Sequence, residues 1–279
     1  VKSSKFKVQS LKPTFYFLLS TFYLVLLAAC DRGMTPDDLP TPINPETFAT
    51  EVFLTQNAPP TGFSSVSFPQ IDANLNLLSD GRYVVTLSFN GVFTSIGRET
   101  SASATAEVWF NQLGSARRVR LQTTGELIGQ EEDQTFEAVR LGPDTFLVRN
   151  NACLGGADAV QAADLGAGAL IGGINNATST ATHEVINVAG VESWRYTFTD
   201  ADLVLLNIRP AEGGAITMAA PGEIWVAPQH NVVVRFYVTL NVQNVYLFDR
   251  QLPVTGQVII RYDLYDIGVP QNISVPFGC

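Results

Sequence analysis

Apolar and polar residues alternate along much of this chain. In RYVVTLSFNGVF, Tyr83, Val85, Leu87 and Phe89 share one face, while Arg82, Thr86, Ser88 and Asn90 share the other. NVVVRFYVTL sets Val232, Val234, Phe236, Val238 and Leu240 against Asn231, Arg235 and Thr239. GQVIIRYDLY repeats the pattern with Val258, Ile260, Tyr262 and Leu264, and ESWRYTF does so with Trp194, Tyr196 and Phe198. Side chains along a strand point alternately to opposite faces, so this period predicts antiparallel strands with one wet side. Further strands are predicted over 105–111, 117–123, 135–139, 145–149, 182–188 and 223–226.

Two segments break the alternation. GADAVQAADLGAGALIGGI is rich in alanine, carries Val160, Ala163, Leu165 and Leu170, and reads as a short helix interrupted by glycines. Gly166, Gly168, Gly172 and Gly173 weaken it and would let it move as a lid. TDADLVLLNI places Thr199 and Asp200, both good N-caps, before an apolar run and predicts a second short helix. The predicted architecture is mainly β (α+β): one large, strongly curved antiparallel sheet with one or two short helices set into it.

The N-terminus obeys a different grammar. Phe15 to Leu27 is an apolar run of thirteen residues, about 20 Å as a helix, against the roughly 30 Å of hydrocarbon that a spanning helix must cross. Lys2, Lys5, Lys7 and Lys12 precede it with no acid among them, and Ala28, Ala29 and Cys30 follow. A positive start, a short apolar core and small residues form a signal peptide, and LAAC resembles the lipobox of bacterial lipoproteins. That resemblance implies a diacylglyceryl group on Cys30 and cleavage just before it, with two acyl chains or more giving a stable anchor. Residues 1–29 are then the signal peptide. Residues 30–48, DRGMTPDDLPTPINPETF and its flanks, form a proline-rich, acidic tether. A single domain is expected over 49–279, on the outer side of the cell membrane.

Charge and cysteines narrow the function. All four lysines lie in the signal segment, leaving thirteen arginines against twenty-six acids. So acidic a chain repels nucleic acid. With Cys30 assigned to lipid, Cys153 and Cys279 are two thiols outside the cytoplasm with no third competitor, and they are expected to pair. His183 and His230 supply no set of metal ligands, and no motif for a nucleophile or a phosphate loop occurs. The Glu131–Glu132–Asp133 cluster reads as solvated charge in a turn. No cofactor, metal or catalytic residue is therefore expected, and the chain is read as a non-enzyme.

The second half of the chain carries a family resemblance. THEVINVAGVESWRYTF, GEIWVAPQHNVVVRFYVTL and GQVIIRYDLYDIGVPQNISVPFGC, in that order, resemble the extracytoplasmic lipoproteins of the LppX/LprG kind, within the class that shares the fold of LolA and LolB. The resemblance implies a half-open antiparallel β-barrel whose apolar concave face is covered by helices and takes up acyl chains or other lipidic ligands. Alternate strand positions would place Tyr83, Val85, Leu87, Trp194, Tyr196, Phe198, Val234, Phe236 and Val258 on that face, lining the ligand cavity. Trp109, Trp194 and Trp225 either fill the core or line the cavity. The expected function is binding or carriage of a hydrophobic ligand by a lipid-anchored envelope protein. The alternative is an interaction or sensor module whose half-barrel is filled by its own side chains.

Overall fold

The computed structural model describes residues 58–127, 134–180, 184–188, 190–248 and 252–279. The signal segment 1–29, Cys30 and the tether 30–48 lie outside the described residues, as does His183.

The first half of the fold is a meander. A short β1 (Ser65–Phe68) precedes β2 (Asp80–Phe93), β3 (Glu99–Asn111), β4 (Ala116–Thr124), β5 (Gln134–Leu141), β6 (Asp144–Arg149) and β7 (Ala152–Leu154). Two helices follow, α1 (Ala157–Ala163) and α2 (Ala167–Ile171). The second half contains β8 (Gly173–Ser179), β9 (Val185–Val188), β10 (Val191–Thr197), β11 (Leu203–Val204), β12 (Ile208–Met218), β13 (Glu223–Ala227), β14 (Val232–Leu247) and β15 (Val254–Tyr265).

All of these strands join one open sheet, ordered β1-β8-β10-β13-β14-β15-β2-β3-β4-β5-β6-β7. β9 is added beside β10, β11 beside β8, and β12 beside β14. Every pairing is antiparallel. The sheet is half-open, with short strands β1 and β7 at its ends. Its centre is the twelve-residue ladder between β15 and β2, from Val254↔Phe93 to Tyr265↔Arg82.

That ladder contains a paired Gly91 and Gly256. A Cβ at Gly91 would lie 2.2 Å from the Thr255 carbonyl oxygen and 2.7 Å from the Phe89 ring, so only glycine permits this approach. Bare glycine in a strand marks close backbone contact or a bend.

The predicted helices are corrected in detail. The alanine-rich segment is two helices, not one, and its glycines are sites of tight packing. Gly172 has φ +74°, and a Cβ there would fall 1.8 Å from the Val204 carbonyl oxygen. A Cβ at Gly173 would fall 2.1 Å from the Phe68 carbonyl oxygen. Glycine at these two positions seats α2 against the sheet rather than loosening it. The segment after Thr199 is not a helix. It is one 3-10 turn, Asp200–Asp202, closed by a reciprocal Thr199–Asp202 capping box, after which the chain returns to β11. The cap was legible, but the apolar run behind it was a strand and its approach.

The C-terminus straps the outer face. Gly268 N donates to the Asp80 carbonyl oxygen at 3.0 Å, and Gln271 N donates to the buried Asp80 carboxylate at 3.4 Å. Arg118 Nη2 donates to the Ser274 carbonyl oxygen at 3.3 Å. Val139, paired with the Arg118 that binds this strap, is fully buried. The strap ends at Cys279, disulfide-bonded to Cys153 in β7 with Cα atoms 5.3 Å apart.

Candidate functional site

The register fixes which residues share the concave face. One cross-strand row runs Tyr196–Ile224–Phe236–Tyr262–Val85–Ala106–Leu121–Phe136–Arg149 through nine neighbouring strands. Directly opposed side chains in antiparallel pairs interact, so the row is a physical strip and not merely an alignment. It starts with large rings, narrows at Ala106, and ends in an arginine.

All nine residues expected to line a cavity lie in the first part of this surface or beside it. Tyr83, Val85, Leu87, Trp194, Tyr196, Phe198, Val234, Phe236 and Val258 are each between 0% and 8% exposed and belong to one packed cluster. The Phe198 and Phe236 rings stand 5.8 Å apart, and those of Tyr83 and Tyr262 stand 5.6 Å apart. Tyr196 Oη donates to the Phe63 carbonyl oxygen at 2.8 Å, and burial pushes its phenol up to about 12. The structure brings the nine together, as close-packed interior, and none of them lines the three recesses described below.

Of the three tryptophans, only Trp194 sits within this shared face beside Tyr196. Trp109 pairs with Arg82 and Arg118 on the outer face, where Arg120 lies 5.4 Å above its ring. Trp225 pairs with Arg195 and donates its indole N–H to Glu223. Alternation alone left their faces open, and strand pairing decides them.

The concave face stays open further along the row. Beyond the small residues Ala102, Ala104 and Ala106 of β3, Leu121, Phe136 and Leu147 form the floor of a cleft of about 390 Å³. α1 packs across β4, β5 and β6 above it. Ala162, Leu165 and Leu170 supply the roof, and Asp158, Gln161 and Arg149 stand at its rim. This is the composition of a small-ligand site: apolar walls with a few placed polar groups. Sequence reading missed it. The alternation Phe136, Ala138, Arg140 is visible in TFEAVRL, but nothing local shows that this face lies under a helix.

Next to the cleft, at the same helix linker, is a polar recess of about 330 Å³ lined by Gln112, Ser115, Arg117 and Arg140 among others. Arg117 Nη2 donates to Tyr83 Oη at 2.7 Å and to the Leu165 carbonyl oxygen at 2.8 Å. Arg140 is ion-paired with Asp164. Burial pushes the Tyr83 phenol up, so it meets the guanidinium as a neutral group. A third recess of about 490 Å³ has mixed walls, with Glu107, Arg120, Gln122 and Glu137 beside Leu121, Phe136 and Val148. The Arg120–Glu137 and Arg82–Glu107 ion pairs there are open to water, and such pairs contribute only about 0–1 kcal/mol.

His230 stands in the turn between β13 and β14. Among the described residues no group of three His, Cys, Asp or Glu could hold a metal ion, and no helix is long and apolar enough to cross a membrane.

No family model matches the chain, and no curated protein matches it in sequence. Among solved structures, a DUF1329 family protein from Desulfovibrio piger is 10% identical, with 70% of this chain and 88% of that one covered and a TM-score of 0.15. A likeness that distant carries no argument. The structure itself shows an open, mainly antiparallel β-sheet with two short helices.

Proposed function

We propose that this chain is a lipid-anchored envelope protein that binds a hydrophobic, acyl-type ligand, and that the ligand enters the cleft beneath α1. The observation that carries this reading is the apolar floor of Leu121, Phe136 and Leu147 facing Leu165 and Leu170 across about 390 Å³. Apolar walls that enclose space rather than side chains gain stability when an apolar group displaces water from them. Kinship to LppX/LprG-type lipoproteins belongs to this proposal and rests on the second-half resemblance. Binding without catalysis is the simplest activity for such a cleft.

A fluorescent fatty-acyl probe tests it. Saturable binding is expected to purified protein, and Phe136→Arg and Leu170→Arg should each weaken it at least tenfold while the far-ultraviolet circular dichroism stays unchanged. Both residues are only partly buried, so a charge there can remain hydrated. Unaltered affinity in the two variants, or no binding by the parent protein, would remove the cleft from the proposal.

The anchor has its own test. Cys30→Ala is expected to abolish metabolic labelling with palmitate and to shift the protein out of the lipid-modified membrane fraction, because the thiol is the only acceptor for the diacylglyceryl group. Palmitate labelling that persists in the variant would refute lipidation at Cys30.

A second reading has one observation in its favour. Most of the concave face is filled by its own side chains, Tyr83, Tyr196, Phe236 and Tyr262 among them. A filled half-barrel suits an interaction or sensor module whose contacts are made outside. It becomes the better reading if the acyl probe does not bind.

A further inference from the structure

Arg117 and Arg140 face each other across β4 and β5 on the inner side of the sheet. Like charges directly opposed on neighbouring strands destabilise the pair, so the arrangement calls for a compensating negative charge. Arg140 has one in Asp164. Arg117 is in no such ion pair among the described residues: its hydrogen bonds go to the neutral Tyr83 hydroxyl and the Leu165 carbonyl oxygen. Its Nε is buried with no acceptor. The Asp72 carboxylate, which accepts the Gly168 N–H at 2.9 Å, is the nearby negative charge, felt with that of Arg117 by Tyr83 and Tyr262, but it makes no direct contact with the guanidinium.

A half-buried guanidinium with only neutral partners is unusual in a chain of formal charge −9. Charged groups inside proteins are ordinarily paired. The two arginines open on a recess of about 330 Å³ with Gln112 and Ser115 on its wall. Guanidinium groups offer several N–H donors in a planar fork that matches the oxygens of carboxylate and phosphate. A hydroxyl and an amide side chain add neutral donors around the same space.

We infer that the recess between Arg117 and Arg140 is an oxyanion site, taking a phosphate or carboxylate group between the two opposed guanidinium groups. The Asp164–Leu165 linker separates it from the cleft beneath α1, since Asp164 and Leu165 bind Arg140 and Arg117 respectively while Leu165 also roofs the cleft. The inference rests on the arginine pair and holds independently of any acyl ligand.

Calorimetric titration of the purified protein with inorganic phosphate, and separately with acetate, tests it. One saturable site is expected for at least one anion, with affinity reduced tenfold or more in Arg140→Gln. Arg98→Gln, exposed beside Glu126 and outside the recess, should leave it unchanged. Arg117→Gln should also lose binding; if that variant does not fold, Arg140→Gln decides, because Arg140 is partly exposed and its ion pair lies at the surface. Vesicles of phosphatidylglycerol in phosphatidylcholine separate the sources. Vesicle binding that inorganic phosphate competes away assigns a lipid headgroup, and phosphate binding without vesicle binding assigns a soluble anion. The inference is overturned if neither anion binds the folded parent protein, or if Arg140→Gln binds undiminished.

Discussion

Phe236→Arg is expected to prevent folding rather than to disable a binding site. Phe236 is fully buried, paired with Ile224 on one side and Tyr262 on the other, with the Phe198 ring 5.8 Å away. Removing a packed aromatic ring costs about 3–5 kcal/mol. A buried charge without a partner adds several kcal/mol more. Together these approach the entire stability of a domain, roughly 5–15 kcal/mol. The variant should be insoluble or show no cooperative thermal transition, whereas Phe136→Arg on the same cross-strand row should melt cooperatively. A sharp transition for Phe236→Arg within a few degrees of the parent would mean that the centre of the half-barrel is wet and hollow.

Reduction of Cys153–Cys279 should have the next largest effect. The bridge closes a sequence separation of 126 residues, and a loop that long is worth roughly 4–5 kcal/mol in the chain-entropy account. For a domain of this size that corresponds to a fall in melting temperature on the order of 10 °C. Differential scanning calorimetry with and without reductant, or on the Cys153→Ala, Cys279→Ala pair, measures it directly. Hydrogen exchange should also quicken along 268–276, where the Asp80 bonds, the Asn111–Gln271 bond and the Arg118–Ser274 bond would be left to hold the strap. An unchanged melting temperature would show that the strap holds without the covalent tie.

The strands that carried strong alternation were legible, and they are the long central ones. Tyr83–Phe89 lies in β2, Val232–Leu240 in β14 and Val258–Leu264 in β15. β8 and β12 were not legible. β8 reads GINNATS, and β12 reads IRPAEGGAITM with a register break between Pro210 and Ala215. Such a strand is held by backbone bonds to a neighbour and leaves little apolar periodicity. The strap was equally hidden, since it has no regular structure and is recognised only by where it lands.

The candidate site shows the same division. Sequence placed Tyr83, Phe236 and Val258 on one face correctly in kind, yet could not say whether that face was filled or empty. That depends on what stands opposite each residue. Large rings brought together by β10, β14, β15 and β2 fill one part of the concavity, while Ala102, Ala104 and Ala106 start the part that stays open.

By itself, then, the sequence determined the sheet, its antiparallel sense and the polarity of its faces, because a two-residue period is a property of one strand. Only the tertiary structure decided where the space lies. The cleft is set by α1 crossing β4, β5 and β6, and the arginine pair by a register that makes Arg117 face Arg140 while Arg118 turns outward. Pairing joins residues far apart in the chain, and volume and charge balance are sums over those neighbours, so neither can be read from a single strand.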